Sequence, residues 1–82
     1  LPPDLLRDSD LEFRVGQEID LERTIRTLVT IGYELQEPVR QPGSYSRRGG
    51  ILDVFPSGAD RPIRIELFGD EIESLRLFDP NT

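Results

Sequence analysis

The run "IRIELFGDEIESLRLF", residues 63 to 78, constrains the fold more than any other part of the chain. Ile63, Ile65 and Leu67 alternate with Arg64, Glu66 and Phe68, the period of a strand with one buried face. Gly69 and Asp70 separate this run from a second strand pattern, "IESLRLF". A glycine–aspartate step between two such runs is a tight hairpin signal, and strands joined so closely pair antiparallel. Upstream, "ILDVF" reads as a buried strand, "PSGADRP" as a loop, and "QPGS" as a turn with proline preset and glycine free to take positive φ. "YELQEPV" reads as a strand that Pro38 confines to an edge or to its own end.

The remaining elements lie before Tyr33. "LEFRVGQ" alternates Leu11, Phe13 and Val15 against Glu12 and Arg14, a short half-buried strand. Asp20 is placed to cap a helix, its carboxylate accepting from a free amide of the first turn. Leu21, Ile25, Leu28 and Val29 follow at i, i+4, i+7 and i+8 on one face. Glu22, Arg23, Arg26 and Thr30 take the other, with Glu22–Arg26 spaced as an i,i+4 ion pair. Gly32 is the expected left-handed stop. The expected fold is α+β: a small antiparallel sheet meander of about four to five strands, covered by one amphipathic helix. Residues 1–10, with a Pro-Pro pair and no clear period, read as an extended lead-in or linker, and residues 11–82 as the domain proper.

Composition narrows the function classes. Eighty-two residues make a domain that buries only about 60–65% of its unfolded surface, which leaves little room for a catalytic cleft. The chain has no cysteine and no histidine, so thiolate metal sites, disulfides and the commonest general base are all excluded. No catalytic residues, metal ligands or cofactor are expected. No apolar run reaches the roughly 20 residues that span a bilayer, so no membrane partner is expected and a cytoplasmic location is the default. The formal charge of −6 disfavours direct capture of DNA or RNA, which depends on neutralising several phosphates. All ten basic residues are arginine, whose planar fork of donors suits bidentate pairing at interfaces.

Three constellations remain. Glu66, Asp70, Glu71 and Glu73 crowd the C-terminal hairpin, with Asp53 mid-strand. No cleft or regularly spaced loop turns them into an acid pair or a cation site, and they read as a solvated rim. "RRGG", residues 47 to 50, reads as a glycine-relaxed bulge that aims Arg47 and Arg48 outward. Arg40, Arg47 and Arg48 fall in a window from Pro38 to Leu52 that holds no acid, and Arg64 lies beside them if the strands pair. The cluster is either internal charge balance against Glu66 and Asp53 or a positive patch that orients an acidic partner. Tyr45 and Leu67, if exposed, supply its apolar anchors.

"PGSYSRRGGILDVFP" followed by "PIRIELFGDEIESLRLFDPNT" resembles the UvrB-homology domain of bacterial transcription-repair coupling factors, a module shared with UvrB. The pattern aromatic–x–x–Arg-Gly, Asp–x–Phe-Pro and Arg–x–Glu–x–Phe–x–Asp-Glu-Ile covers residues 43 to 79. "GQEIDLERTIRTLVTIGY" extends it over most of the chain. "GGILDVFPSG" and "ESLRLFDPNT" are similar to the coupling-factor branch. The resemblance implies a non-catalytic domain that binds UvrA and recruits it to stalled transcription complexes. It also implies that other domains of the parent chain mask the same face, as an autoinhibitory clamp. RNA polymerase and DNA are then reached only through the parent, an ATP-driven translocase. By position it places the UvrA contact on Arg48 and Arg64, with Glu66 alongside. Leu67 stands where the family often has an aromatic, with Phe68 next to it. Ser46 stands where UvrB has a further arginine, with Arg47 adjoining.

Overall fold

The structure, a computed structural model, describes residues 5–8 and 11–80. Of the ten residues read as a lead-in, 1–4, 9 and 10 therefore lie outside the described residues, as do Asn81 and Thr82. Two strands, β1 (Leu5–Asp8) and β2 (Leu11–Arg14), pair antiparallel as a hairpin, so part of the lead-in runs as a paired strand. The helix α1 (Leu21–Thr30) follows, then β3 (Glu34–Leu35), β4 (Ser44–Arg48), β5 (Ile51–Phe55), β6 (Ile63–Phe68) and β7 (Glu71–Leu77). These five form one sheet in the order β3-β4-β5-β6-β7.

Local chemistry sets both ends of the helix. The Asp20 side chain accepts from the Arg23 amide at 3.2 Å, the cap expected from sequence. At the other end Tyr33 N donates to Leu28 O at 2.9 Å and Gly32 N to Val29 O at 3.1 Å. This double closure needs a left-handed residue, and Gly32 supplies it with φ of 104°. Leu28 is fully buried, Leu21 and Ile25 are half-buried, and Val29 is exposed. Val29 thus departs from the expected buried stripe, because it lies on the stripe's flank where the sheet no longer reaches. Asp20→Ala should cost about 1 kcal/mol of stability, read from urea unfolding with an unchanged m-value.

The antiparallel meander holds from β4 to β7, but β3 runs parallel to β4. Residues 36–43 carry the chain back across the sheet edge, and Gln36 Oε1 braces that loop by accepting from the Arg40 and Gln41 amides at 2.6 and 3.0 Å. Two amides of this edge, Glu34 N and Gln36 N, donate to Gly43 O and Tyr45 O. A pairing of two residues needs only this short return, whereas a full parallel strand needs a longer crossover.

One face of the sheet packs under α1. Leu52, Val54, Ile63, Ile65, Ile72 and Leu75 form the core there with Phe13, Leu28, Tyr33 and Tyr45. Tyr45 is buried, so the exposed anchor expected of it is absent. The opposite face has no helix over it among the described residues. β7 is closed along its first half by residues 16–19, through Gly16 N to Ile72 O, Ile72 N to Gln17 O and Ile19 N to Asp70 O, each 2.8 Å.

Candidate functional site: a charged open face

Strand register sorts the polar residues into two rows on the open face. Ser46, Asp53, Arg64 and Arg76 lie opposite one another across β4, β5, β6 and β7. Arg48, Ile51, Glu66 and Ser74 form the adjacent row. Arg64 and Arg76 thus face each other directly, an unfavourable like-charge pair unless each finds an acid. Each does.

Arg64 turns toward Asp53, with Nε donating to Oδ1 at 2.9 Å and Nη2 to Oδ2 at 3.0 Å. Its guanidinium carbon also sits 4.9 Å from the centre of the Phe78 ring, a cation–π contact. Asp53 is only 6% exposed, and the paired fork is what permits a buried carboxylate there. The hydrogen bond to Asp53 raises the Arg64 pKa further; burial opposes this, and the charges of Asp53 and Glu66 reinforce it. Of the two expected roles of the cluster, internal charge balance is therefore realised for Arg64.

Arg76 turns the other way and donates to Glu66 Oε1, which also accepts from the Ser74 hydroxyl. The Ser74 hydrogen bond first, then that of Arg76, hold the Glu66 carboxyl below the usual glutamate range. A carboxylate with a lowered folded pKa stabilises the fold above its unfolded pKa, and that contribution is lost as pH falls through the folded value. A carbon-13 titration of Glu66 should therefore show a midpoint below that of an ordinary exposed glutamate. Ser74→Ala should move the midpoint back upward.

Arg48 is different. It is exposed, and among the described residues it has no ion-pair partner. With Arg64 it lines a groove of about 550 Å³ that Glu37, Pro38, Ser46, Asp53, Phe78, Asp79 and Pro80 complete. A second hollow of about 500 Å³, beside Ile51, Glu66, Leu67 and Arg76, continues the same surface.

The other expected site residues divide between the faces. Arg47 belongs to the helix side, where its guanidinium lies 3.6 Å from Glu22 and its Nε donates to Gly49 O at 3.1 Å. Glu22, spaced in sequence to pair with Arg26, reaches this arginine across the sheet edge. The two arginines of "RRGG" are therefore not aimed together, because neighbours in a strand point to opposite faces. Nor do the glycines form a bulge. They are the two-residue loop of the β4–β5 hairpin, in which Arg48 pairs with Ile51 and Gly49 takes φ of 57°. The bulge falls instead in β6–β7, at Glu66/Leu67. Leu67 turns to the helix side and packs half-buried on the core, whereas Phe68 stands 79% exposed at the end of β6.

Of the expected acidic rim, Asp70, Glu71 and Glu73 are exposed as anticipated, while Asp53 is buried and Glu66 half-buried. Phe78, Ser74 and Arg76 escaped sequence reasoning. The signal for Phe78 was its place in an alternating run, but its ring meets Arg64 because the β6–β7 register carries one residue past Leu77, with Phe78 N donating to Pro62 O.

Fold and site together define a small α+β domain in which one sheet face carries no helix among the described residues and is lined by charged side chains. A family model for the UvrB interaction domain matches residues 11–82. The chain is 50% identical over 74 residues to UvrABC system protein B of Thermosipho africanus, covering 88% of the chain and 11% of that protein. It is 42% identical over 81 residues to the transcription-repair-coupling factor of Staphylococcus epidermidis, covering 99% of the chain and 7% of that protein. With the coupling factor of Bacillus subtilis the identity is 40% over 80 residues, 96% of the chain and 7% of the relative. The chain belongs to the UvrB interaction domain family, and it spans about a tenth or less of the length of these relatives. No helix among the described residues is long and apolar enough to cross a membrane.

Proposed function

We propose that the open face is a docking surface for UvrA, and that the domain serves as a non-catalytic, cytoplasmic adaptor that brings UvrA to a coupling factor at stalled transcription complexes. The observation that carries this reading is Arg48. Arg64 and Arg76 already have internal acids, whereas Arg48 lines the groove with no acid of its own among the described residues. A guanidinium left unmatched on a chain of charge −6 is a ready partner for a carboxylate supplied in trans.

The docking surface then comprises Arg48 and Arg64, with Glu66 lining the adjoining hollow and Phe68 as the exposed aromatic at its end. Arg47 and Leu67, on the helix side, border it. Family membership supports an interaction role, and coupling-factor relatives that match nearly the whole chain support the setting in transcription-coupled repair. Calorimetric titration of this chain into purified UvrA tests the proposal. Saturable binding that Arg48→Glu removes is the expected result; a folded wild-type chain that gives no heat of binding overturns it.

A further inference from the structure

The geometry points to Asp53 and Phe78 as positioning residues that hold Arg64 ready as a hydrogen-bond donor to an anionic ligand in the groove. The inference rests on the docking reading above and assigns the work within that site. A guanidinium carries five N–H donors in a fixed plane. Asp53 engages the Nε hydrogen and one on Nη2, and the guanidinium carbon lies over the Phe78 ring, 4.9 Å from its centre. Two hydrogens on Nη1 and one on Nη2 remain for a ligand. Arg64 lines the groove together with Arg48, so its side chain borders the same recess as the cation that has no ion-pair partner among the described residues. Asp53 can hold the fork because it is itself fixed, mid-strand in β5, buried, and directly opposite Arg64 in the register.

Electrostatics alone argues the contrary. Asp53 is a negative charge beside the groove, so its neutralisation should favour an acidic ligand. Positioning argues that its removal frees a long side chain whose ordering must then accompany binding. Ordering one such side chain weakens binding by about two- to twelve-fold. The two accounts predict opposite signs for Asp53→Asn, a substitution that keeps the shape and one acceptor but not the paired fork.

The test has two arms. In nitrogen-15 spectra of the free wild-type chain, the Arg64 guanidinium should show separate, slowly exchanging Nη signals, which average in Asp53→Asn and broaden in Phe78→Leu. In titrations against purified UvrA, Asp53→Asn should bind about tenfold more weakly and Phe78→Leu about threefold, with both variants folded by thermal unfolding. Averaged Arg64 signals in the wild type, or unchanged or tighter binding by a folded Asp53→Asn, overturn the inference. Separate Arg64 signals that collapse in Asp53→Asn, found beside a wild type that does not bind UvrA, support the positioning and remove the docking reading alone.

Discussion

Arg48→Glu should weaken binding to UvrA by about 2–5 kcal/mol, which is roughly 30-fold to several thousand-fold in Kd. The size of the effect has two sources. The substitution removes a charge that has no internal partner among the described residues, so a carboxylate docked against it loses its counter-ion and stays desolvated. It also adds an acid to a groove already lined by Glu37, Asp53 and Asp79. Stability should stay within about 0.5 kcal/mol of wild type, because an exposed side chain without a partner is being exchanged. Arg47→Glu is the matched control. It makes the same change in net charge one residue away, but on the helix face, where it opposes Glu22. Its effect on binding should be confined to long-range electrostatics, below about 1 kcal/mol and diminishing with salt. Equal losses in the two variants, by calorimetry at matched ionic strength, would mean that UvrA responds to overall charge and not to this face.

Leu28→Ala should lower stability by about 2–5 kcal/mol, the range for deleting a fully buried leucine. In a domain of this size that corresponds to a fall in Tm of about 8–40 °C. Leu28 is the fully buried residue of α1, and its carbonyl also accepts from the Tyr33 amide in the helix stop. The cavity would therefore open where the helix, the sheet and the chain reversal meet, with little freedom to collapse. The docking face lies across the sheet from this cavity. At a temperature where Leu28→Ala remains folded, its affinity for UvrA should lie within about twofold of wild type, since distant sites are usually additive. Thermal unfolding and a low-temperature titration read the two effects separately. A stable Leu28→Ala with weakened binding would reverse the assignment of fold to one face and docking to the other.

The sequence by itself was sufficient wherever the controlling interactions are local. The Asp20 cap, the Gly32 stop and the Gly69–Asp70 hairpin each depend on residues within four or five positions, so their chemistry is visible in a short window. The alternation in "IRIELF" correctly divided Ile63, Ile65 and Leu67 from Arg64, Glu66 and Phe68. The same period could have placed Arg47 and Arg48 on opposite faces, had the glycines been read as the hairpin loop instead of a bulge. The motif also led to the family, because a long combined pattern is specific where each short piece is not.

Which arginine has a partner was decided only by the tertiary structure. Asp53 meets Arg64 across eleven residues, Arg76 meets Glu66 across ten, and the second of these depends on a bulge at Glu66/Leu67 that shifts the β6–β7 register. No local pattern marks that shift, and without it different residues of β7 would stand opposite Arg64 and Glu66. Charge pairing across a sheet is a property of register, and register is settled by how the whole apolar face packs beneath the helix. The sequence therefore singled out Arg48, Asp53, Arg64 and Glu66 but not Arg76, while the fold determined that Arg48 alone among Arg48, Arg64 and Arg76 lacks an acid among the described residues.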